Sequence, residues 1–183
     1  MKIHSTSIPE VIILEPDVFE DPRGFFMETY HRERYAGAGV GVGFVQDNLS
    51  VSYRGTVRGL HFQNPCAQAK LIQVLDGEVF DVAVDVRRGS PGFGRWTGVT
   101  LSGSNRRQLF IPEGFAHGFC VTSEKAVFHY KCSDFHTPSA EHGILWNDTQ
   151  LGIPWPVDAP VISTKDSRYG LMKDLLEDVF PLY

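Results

Sequence analysis

The sequence predicts a mainly β chain that closes into a sandwich or barrel and carries only a few short helices. Three observations predict it. Short runs rich in Val, Ile, Leu and Phe recur at close spacing through the middle of the chain. Turn signals separate them: Arg54-Gly55, Asn64-Pro65, Ser90-Pro91-Gly92, Pro112-Glu113-Gly114 and Ser123-Glu124. That punctuation suits many short strands. No strand–helix–strand alternation appears, which disfavours a Rossmann-type sheet.

In chain order, residues 11–14 form the first strand candidate, and residues 29–37 read as one short helix. Strand candidates follow at 44–52 and 57–63. Residues 71–75, Asp76-Gly77 and residues 78–86 read as a hairpin, because Asp-Gly tolerates the positive φ of a tight turn. In its second arm Phe80, Val82, Val84 and Val86 share one face, and Asp81 and Asp85 the other. Further candidates lie at 96–101, 108–111, 118–122 and 126–132. Near the end, Leu171, Leu175, Leu176 and Val179 recur at helical spacing, predicting a short C-terminal helix docked on the barrel. One domain over residues 1–183 is expected, with a β core over about 40–135 and a C-terminal segment with its helix over about 166–180.

Composition narrows the function classes. Lys plus Arg number 17 against 22 Asp plus Glu, a net charge of −5, which argues against general attraction to nucleic acid or anionic lipid. A small anionic ligand in a local basic pocket remains compatible with it. No apolar run approaches the roughly 18 residues that a membrane helix needs, and Met1 to Thr6 lacks the pattern of an export signal. Cys66, Cys120 and Cys132 form no C-x-x-C pair and read as reduced structural thiols of a cytoplasmic protein.

Two motifs carry candidate chemistry. In Arg58-Gly59-Leu60-His61-Phe62-Gln63, the histidine reads as a metal ligand, a base or a satisfied core residue. Ideal alternation puts His61 and Gln63 on one face and Arg58 on the other. Only a bulge, which Gly59 would permit, lets Arg58 and His61 share a site. The second motif is Ile111-Pro112-Glu113-Gly114-Phe115-Ala116-His117-Gly118-Phe119. Its Pro-x-Gly turn, delivering a histidine onto the next strand, resembles the second motif of the cupin superfamily and supports a jelly-roll barrel. Metal cupins usually show His-x-His in their first motif, whereas this chain has His61-Phe62-Gln63. His61, His117 and a carboxylate could still make three ligands.

Single residues are ambiguous by themselves. Tyr130 shares a strand face with Phe128 and reads alone as a buried, hydrogen-bonded tyrosine. Lys70 is either solvated or, if it points inward, in need of an anion, since an unpaired buried charge is costly. Asp166, in Thr164-Lys165-Asp166, looks like part of an exposed loop.

Taken together, the motifs resemble the dTDP-4-dehydrorhamnose 3,5-epimerase family. The matching segments are residues 21–28 (Asp-Pro-Arg-Gly-Phe-Phe-Met-Glu), 45–50, 57–63, 77–85, 90–94, 109–119, 144–148 and 163–166. Arg-Gly-Leu-His-Phe-Gln combined with Ile-Pro-x-Gly-Phe-Ala-His-Gly-Phe is the specific pairing. The resemblance implies a cofactor-free, cupin-like jelly-roll homodimer without a catalytic metal. It implies conversion of dTDP-4-dehydro-6-deoxy-D-glucose to dTDP-4-dehydro-L-rhamnose, in dTDP-L-rhamnose synthesis. Carried over position by position, it makes His61 the base, Asp166 its carboxylate partner and Tyr130 the acid on the other face of the sugar. It puts Lys70 and His117 near the C4 oxygen. Arg23, Glu28, Gln46, Asn48, Arg58, Glu141 and Lys165 match substrate contacts, and Phe19 and Phe26 match apolar walls near the nucleotide. Family members usually stack Tyr or Trp on the thymine ring; this chain has His136 there, which stacks with less area.

These residue types suit the implied chemistry. A hydrogen at C3 or C5 is acidic because the C4 ketone takes the charge as an enolate, and histidine is a natural base for it near neutral pH. Inversion requires a proton donor on the opposite face. No G-x-G-x-x-G fingerprint opens a strand–helix unit, so no nicotinamide site is expected. The alternatives are an epimerase acting at one position only, a metal cupin such as a dioxygenase, and a non-enzymatic sugar-binding jelly roll.

Overall fold

A computed structural model describes residues 1–183. The strands are β1 (Lys2–Ser5), β2 (Ile12–Glu15), β3 (Val18–Asp21), β4 (Gly24–Met27), β5 (Gln46–Tyr53), β6 (Val57–Gln63) and β7 (Lys70–Asp76). They continue with β8 (Glu78–Asp85), β9 (Trp96–Ser102), β10 (Gln108–Ile111), β11 (Phe115–Val121), β12 (Lys125–Cys132) and β13 (Glu141–Gly143). The chain is mainly β, with one α-helix, α1 (Arg32–Gly37), and four single 3-10 turns.

Two antiparallel sheets face each other. One runs β1-β2-β10-β7-β12-β5 and the other β13-β6-β11-β8-β9. Alternation along each strand sorts the side chains. Ile72, Val74, Val79, Ala83, Leu109, Phe115, Phe119 and Phe128 point inward and fill the space between the sheets. The outer face of the five-stranded sheet presents Leu60, Phe62, Val82, Val84 and Val86, which Met172 and Phe180 of the C-terminal segment cover. The outer face of the six-stranded sheet presents Leu14, Leu71 and Phe110 beneath Tyr35 of α1. The architecture is the expected cupin-like jelly roll.

Two expectations need correction. The two arms flanking Asp76-Gly77 are not a hairpin. β7 pairs with β10 and β12, whereas β8 pairs with β11 and β9, so the turn carries the chain from one sheet to the other. Gly77 does adopt φ +80°, and a Cβ there would collide with the Lys125 carbonyl oxygen. The turn chemistry was therefore right, but apolar faces on both arms let each strand find its partners in a different sheet.

The C-terminal helix is also absent. Met172–Asp174 and Glu177–Val179 are separate 3-10 turns, joined by extended backbone at Leu175 and Leu176. Leu176 is exposed, while Met172 and Phe180 are the buried anchors. An apolar repeat this short cannot sustain a helix alone, and tertiary contacts win: the Met172 amide donates to Asp148 Oδ2 at 2.7 Å. The helix expected at residues 29–37 is present but starts later, at Arg32, with His31 as its cap.

β3 and β4 form a two-stranded ribbon apart from both sheets. Arg106 holds it, donating to Glu20 at 2.8 Å and lying 4.0 Å from the centre of the Phe25 ring. No helix is long and apolar enough to cross a membrane.

Candidate active site

The site is built on a defect in β6. His61 pairs with His117 of β11 and Arg58 pairs with Phe119, so β6 carries one residue more than its partner across this stretch. Gly59 absorbs the extra residue at φ +120°. A Cβ there would lie 2.5 Å from Gly118 Cα and 2.7 Å from the His117 carbonyl oxygen. The bulge reverses the alternation, which settles the question of Arg58. Arg58 and His61 line the same interior cavity, and Arg58 Nε donates to Ser52 Oγ at 3.0 Å.

That cavity has two connected lobes of about 260 and 390 Å³, which share Asn48, His61, Lys70, Tyr130 and Lys165. His61 comes from the five-stranded sheet, and Tyr130 and Lys70 from the six-stranded one. The imidazole and the phenol therefore face a common space from opposing walls.

His61 Nε2 lies 2.9 Å from Asp166 Oδ1. Asp166 is buried at the start of the 3-10 turn Asp166–Arg168. Its Oδ2 accepts from the Gly59 amide at 3.3 Å, and its own amide donates to Ser163 Oγ at 3.0 Å. The bulge that turns His61 inward thus also supplies a donor to its carboxylate. Burial alone would raise the Asp166 carboxyl; the hydrogen bond and charge of His61 and the Gly59 amide hold it below the ordinary carboxylate value. With Nε2–H donating to Asp166, the lone pair of a neutral imidazole sits on Nδ1.

A second histidine–aspartate pair lies beside the first. His117 Nε2 is 3.0 Å from both oxygens of Asp81. This pair is sealed: side-chain exposure is 8% and 0%, against 31% and 5% for His61 and Asp166. Burial pushes the His117 imidazole down and the Asp81 carboxyl up, so both favour their neutral forms. Sequence reasoning missed Asp81 as a site residue. Its signal was there: a carboxylate on the inward face of an otherwise apolar strand needs a partner.

Lys70 shares the inward face of β7 with Ile72 and Val74 and forms no ion pair. Burial lowers its pKa, while the charges of Cys132, Asp81 and Glu141 act the other way. It is a desolvated amine facing the cavity, the arrangement that suits a developing oxyanion. Burial likewise raises the Tyr130 hydroxyl, keeping it protonated.

At the mouth, Glu141 gathers three donors. Lys165 Nζ forms an ion pair with it, His136 Nε2 lies at 2.8 Å and the Tyr169 hydroxyl at 3.2 Å. Burial would raise its carboxyl, but the bonds from Lys165 and His136 hold it at about 2. Gln46 Oε1 accepts from the His136 amide at 2.9 Å, and Gln46 Nε2 donates to Asn48 at 3.0 Å. The loop bearing His136 is anchored further by Gln63, which bonds to Phe135 and Thr137.

The cavity therefore collects His61, Tyr130, Lys70, Asp166, Arg58, Gln46, Asn48, His117, His136, Glu141 and Lys165. It does not collect Phe19, Arg23, Phe26 or Glu28. Phe19, Phe26 and Glu28 line a separate recess beside α1. Arg23 projects from the ribbon paired with Asp21, and Glu28 pairs with Arg34. No group of three or more His, Cys, Asp or Glu side chains is placed to hold a metal ion. The imidazoles of His61 and His117 each turn Nε2 to a different carboxylate.

Similarity to known proteins agrees with this geometry. The family model for dTDP-4-dehydrorhamnose 3,5-epimerase matches residues 5–174. The chain is 54% identical to the dTDP-4-dehydrorhamnose 3,5-epimerase of Pseudomonas aeruginosa over 183 residues, 99% of this chain and 100% of that protein. It is 55% identical to that of Shigella flexneri over 168 residues, 91% of this chain and 93% of the relative. Among solved structures, the dTDP-6-deoxy-D-glucose-3,5-epimerase of Legionella pneumophila in complex with dTDP-4-keto-L-rhamnose superposes with a TM-score of 0.97 at 48% identity. The match covers 100% of this chain and 98% of that one. On the family model and these identities, the chain belongs to the dTDP-4-dehydrorhamnose 3,5-epimerase family, isomerases acting on a nucleotide-linked sugar.

Proposed function

We propose that this chain converts dTDP-4-dehydro-6-deoxy-D-glucose to dTDP-4-dehydro-L-rhamnose, inverting C3 and C5 by proton transfer next to the C4 ketone. One observation carries the reading: a histidine on one sheet, paired with an aspartate from a 3-10 turn, and a tyrosine and a desolvated lysine on the other sheet open into a single cavity.

The steps follow from the chemistry of these groups. Nδ1 of His61 removes the proton at the carbon next to the ketone, and Asp166 holds the tautomer and balances the imidazolium that forms. The electron pair moves onto the C4 oxygen, where the Lys70 ammonium stabilises the enolate. Tyr130, from the opposing wall, returns a proton to the other face. His117, bound to Asp81, sits with Lys70 near that oxygen. Arg58 and Lys165 bring positive charge to the substrate's diphosphate, locally offsetting an acidic chain. His136 offers its ring to the base. The reaction needs no oxidant and no electron carrier.

We also read the chain as one domain that works as a homodimer. The exposed apolar residues Phe19 and Phe26 of the ribbon, and Leu49, Val51 and Tyr53 along the edge strand β5, support a second copy. Phe19, Arg23, Phe26 and Glu28 are absent from their own chain's cavity, so their contacts to the nucleotide are made across that dimer. Three free thiols suit the cytoplasm.

The test is proton exchange in deuterated water with the dTDP-4-keto sugar, read by NMR. Label at both C3 and C5 is expected. Label at one carbon identifies a single-position epimerase, and label at neither overturns the reading. Tyr130→Phe should impair reprotonation more than proton removal; equal loss of both makes Tyr130 structural.

A further inference from the structure

We propose that Tyr169 is a positioning residue for the active-site imidazole, setting the orientation of His61 and linking it to the substrate-facing rim through Glu141. The inference rests on His61 acting as the base.

Three observations converge on it. First, Tyr169 and Asp166 lie three residues apart, on either side of one 3-10 turn, a spacing at which side chains eclipse. A single turn thus delivers two groups to one imidazole. Asp166 meets Nε2 at 2.9 Å, and the Tyr169 ring meets the imidazole edge-on, with centroids 5.7 Å apart and planes at 67°.

Second, the ring has a dedicated seat. Gly143 is the cross-strand partner of His61 on β13, and a Cβ at that position would collide with the Tyr169 ring. The bare backbone of Gly143 is what allows the ring to lie beside the histidine. The Leu145 amide donates to the Gly170 carbonyl at 2.9 Å, closing the seat behind it.

Third, the hydroxyl is used. It donates to Glu141 Oε1 at 3.2 Å, on a carboxylate that also holds Lys165 and His136. Burial, with the Glu141 charge adding to it, raises the Tyr169 hydroxyl, so it remains a donor. Without Tyr169, the imidazole keeps its carboxylate but loses the wall that limits its rotation about that bond.

The test compares Tyr169→Leu, Tyr169→Phe and Gly143→Ala with wild type. Small displacements of a reacting group cost up to about 10²-fold in rate. Tyr169→Leu should therefore lower kcat about 10–100-fold while KM moves less than about threefold. Tyr169→Phe keeps the ring and should recover most of kcat. Imidazole NMR should show one ordered His61 ring in wild type and exchange broadening from several ring orientations in the leucine variant, with the tautomer unchanged because Asp166 still holds Nε2–H. Should Tyr169→Leu not fold, Gly143→Ala carries the test, since it displaces the same ring and should lower kcat in the same way. Unchanged kcat in a folded leucine or alanine variant overturns the inference, as does a phenylalanine variant no better than leucine. His61→Ala serves as the control: if it stays active, the base assignment fails, and if it is inactive while Tyr169→Leu is not, only the role of Tyr169 fails.

Discussion

The two histidine–aspartate pairs are cross-strand neighbours with the same chemistry and opposite consequences. His61 and His117 face each other across the β6–β11 ladder, and each turns Nε2 to a carboxylate about 3 Å away. What separates them is water. The His61 imidazole is about one-third exposed to the cavity, whereas the His117–Asp81 pair is closed off by Phe119 and Phe128. Burial raises both carboxyls, but the hydrogen bond and charge of His61 and the Gly59 amide hold Asp166 below its ordinary value, whereas Asp81 stays raised. Two histidine–aspartate pairs a strand apart thus differ in environment, one open to the cavity and the other almost closed off from it. Burial and hydrogen-bond partners, and not residue type, set that difference.

The largest effect that tests this contrast is on rate. Asp166→Asn should lower kcat by about 10²–10⁴, the range for disabling acid–base catalysis, with little change in KM. A steady-state assay at saturating substrate reads it, and a loss below tenfold breaks the comparison. His117→Ala should act on stability as well. Removing the imidazole leaves the buried Asp81 carboxyl without its hydrogen-bond partner and costs about 1–3 kcal/mol. Urea unfolding measures it, and a fully stable variant would show that Asp81 does not depend on His117.

Lys70→Met sharpens the picture from the opposing wall. An oxyanion donor is worth about 10²–10³ in kcat. Because Lys70 is desolvated and without an ion pair, the variant should melt no lower than wild type. A large fall in melting temperature would instead make Lys70 a structural cation.

The smallest effects come from pH. Asp166 and Glu141 have depressed carboxyls, so their stabilising contribution is present above the ordinary carboxylate value of about 4. It is lost as pH falls through their folded values, about 2 for Glu141. Asp81 has the opposite sign: a raised carboxyl stabilises only at low pH, and its contribution is lost as pH rises through the folded value. At pH 7, Asp166→Asn should lower the melting temperature, and Asp81→Asn should leave it unchanged or raise it. Calorimetry of both variants decides, and shifts of the same sign remove the distinction.

Much of this was legible along the chain. Alternation placed Tyr130 with Phe128, and Asp81 with Asp85, on the faces where they are found. The strands at 57–63 and 108–111 have the boundaries their residues suggest. The ribbon at Val18–Met27 escaped notice, because its apolar residues are exposed and its strands carry only four residues each. Asp166 was reached only through the family resemblance, because it sits in a polar loop where nothing in its neighbours indicates burial. Tyr169 escaped for a similar reason: its seat is an absent side chain at Gly143, distant in sequence.

Local residue chemistry by itself determined the β class, the inward and outward faces, the turn at Asp76-Gly77 and the two histidine motifs. These depend on neighbours one to four residues away, through pleat geometry and φ preference. The tertiary structure alone decided that the arms of that turn enter different sheets, that the C-terminal leucines form no helix, and which histidine stays wet. Those outcomes depend on apolar surfaces and carboxylates brought together from positions as far apart as Gly59 and Asp166. Burial acts on the assembled molecule, so no stretch of chain read alone contains it.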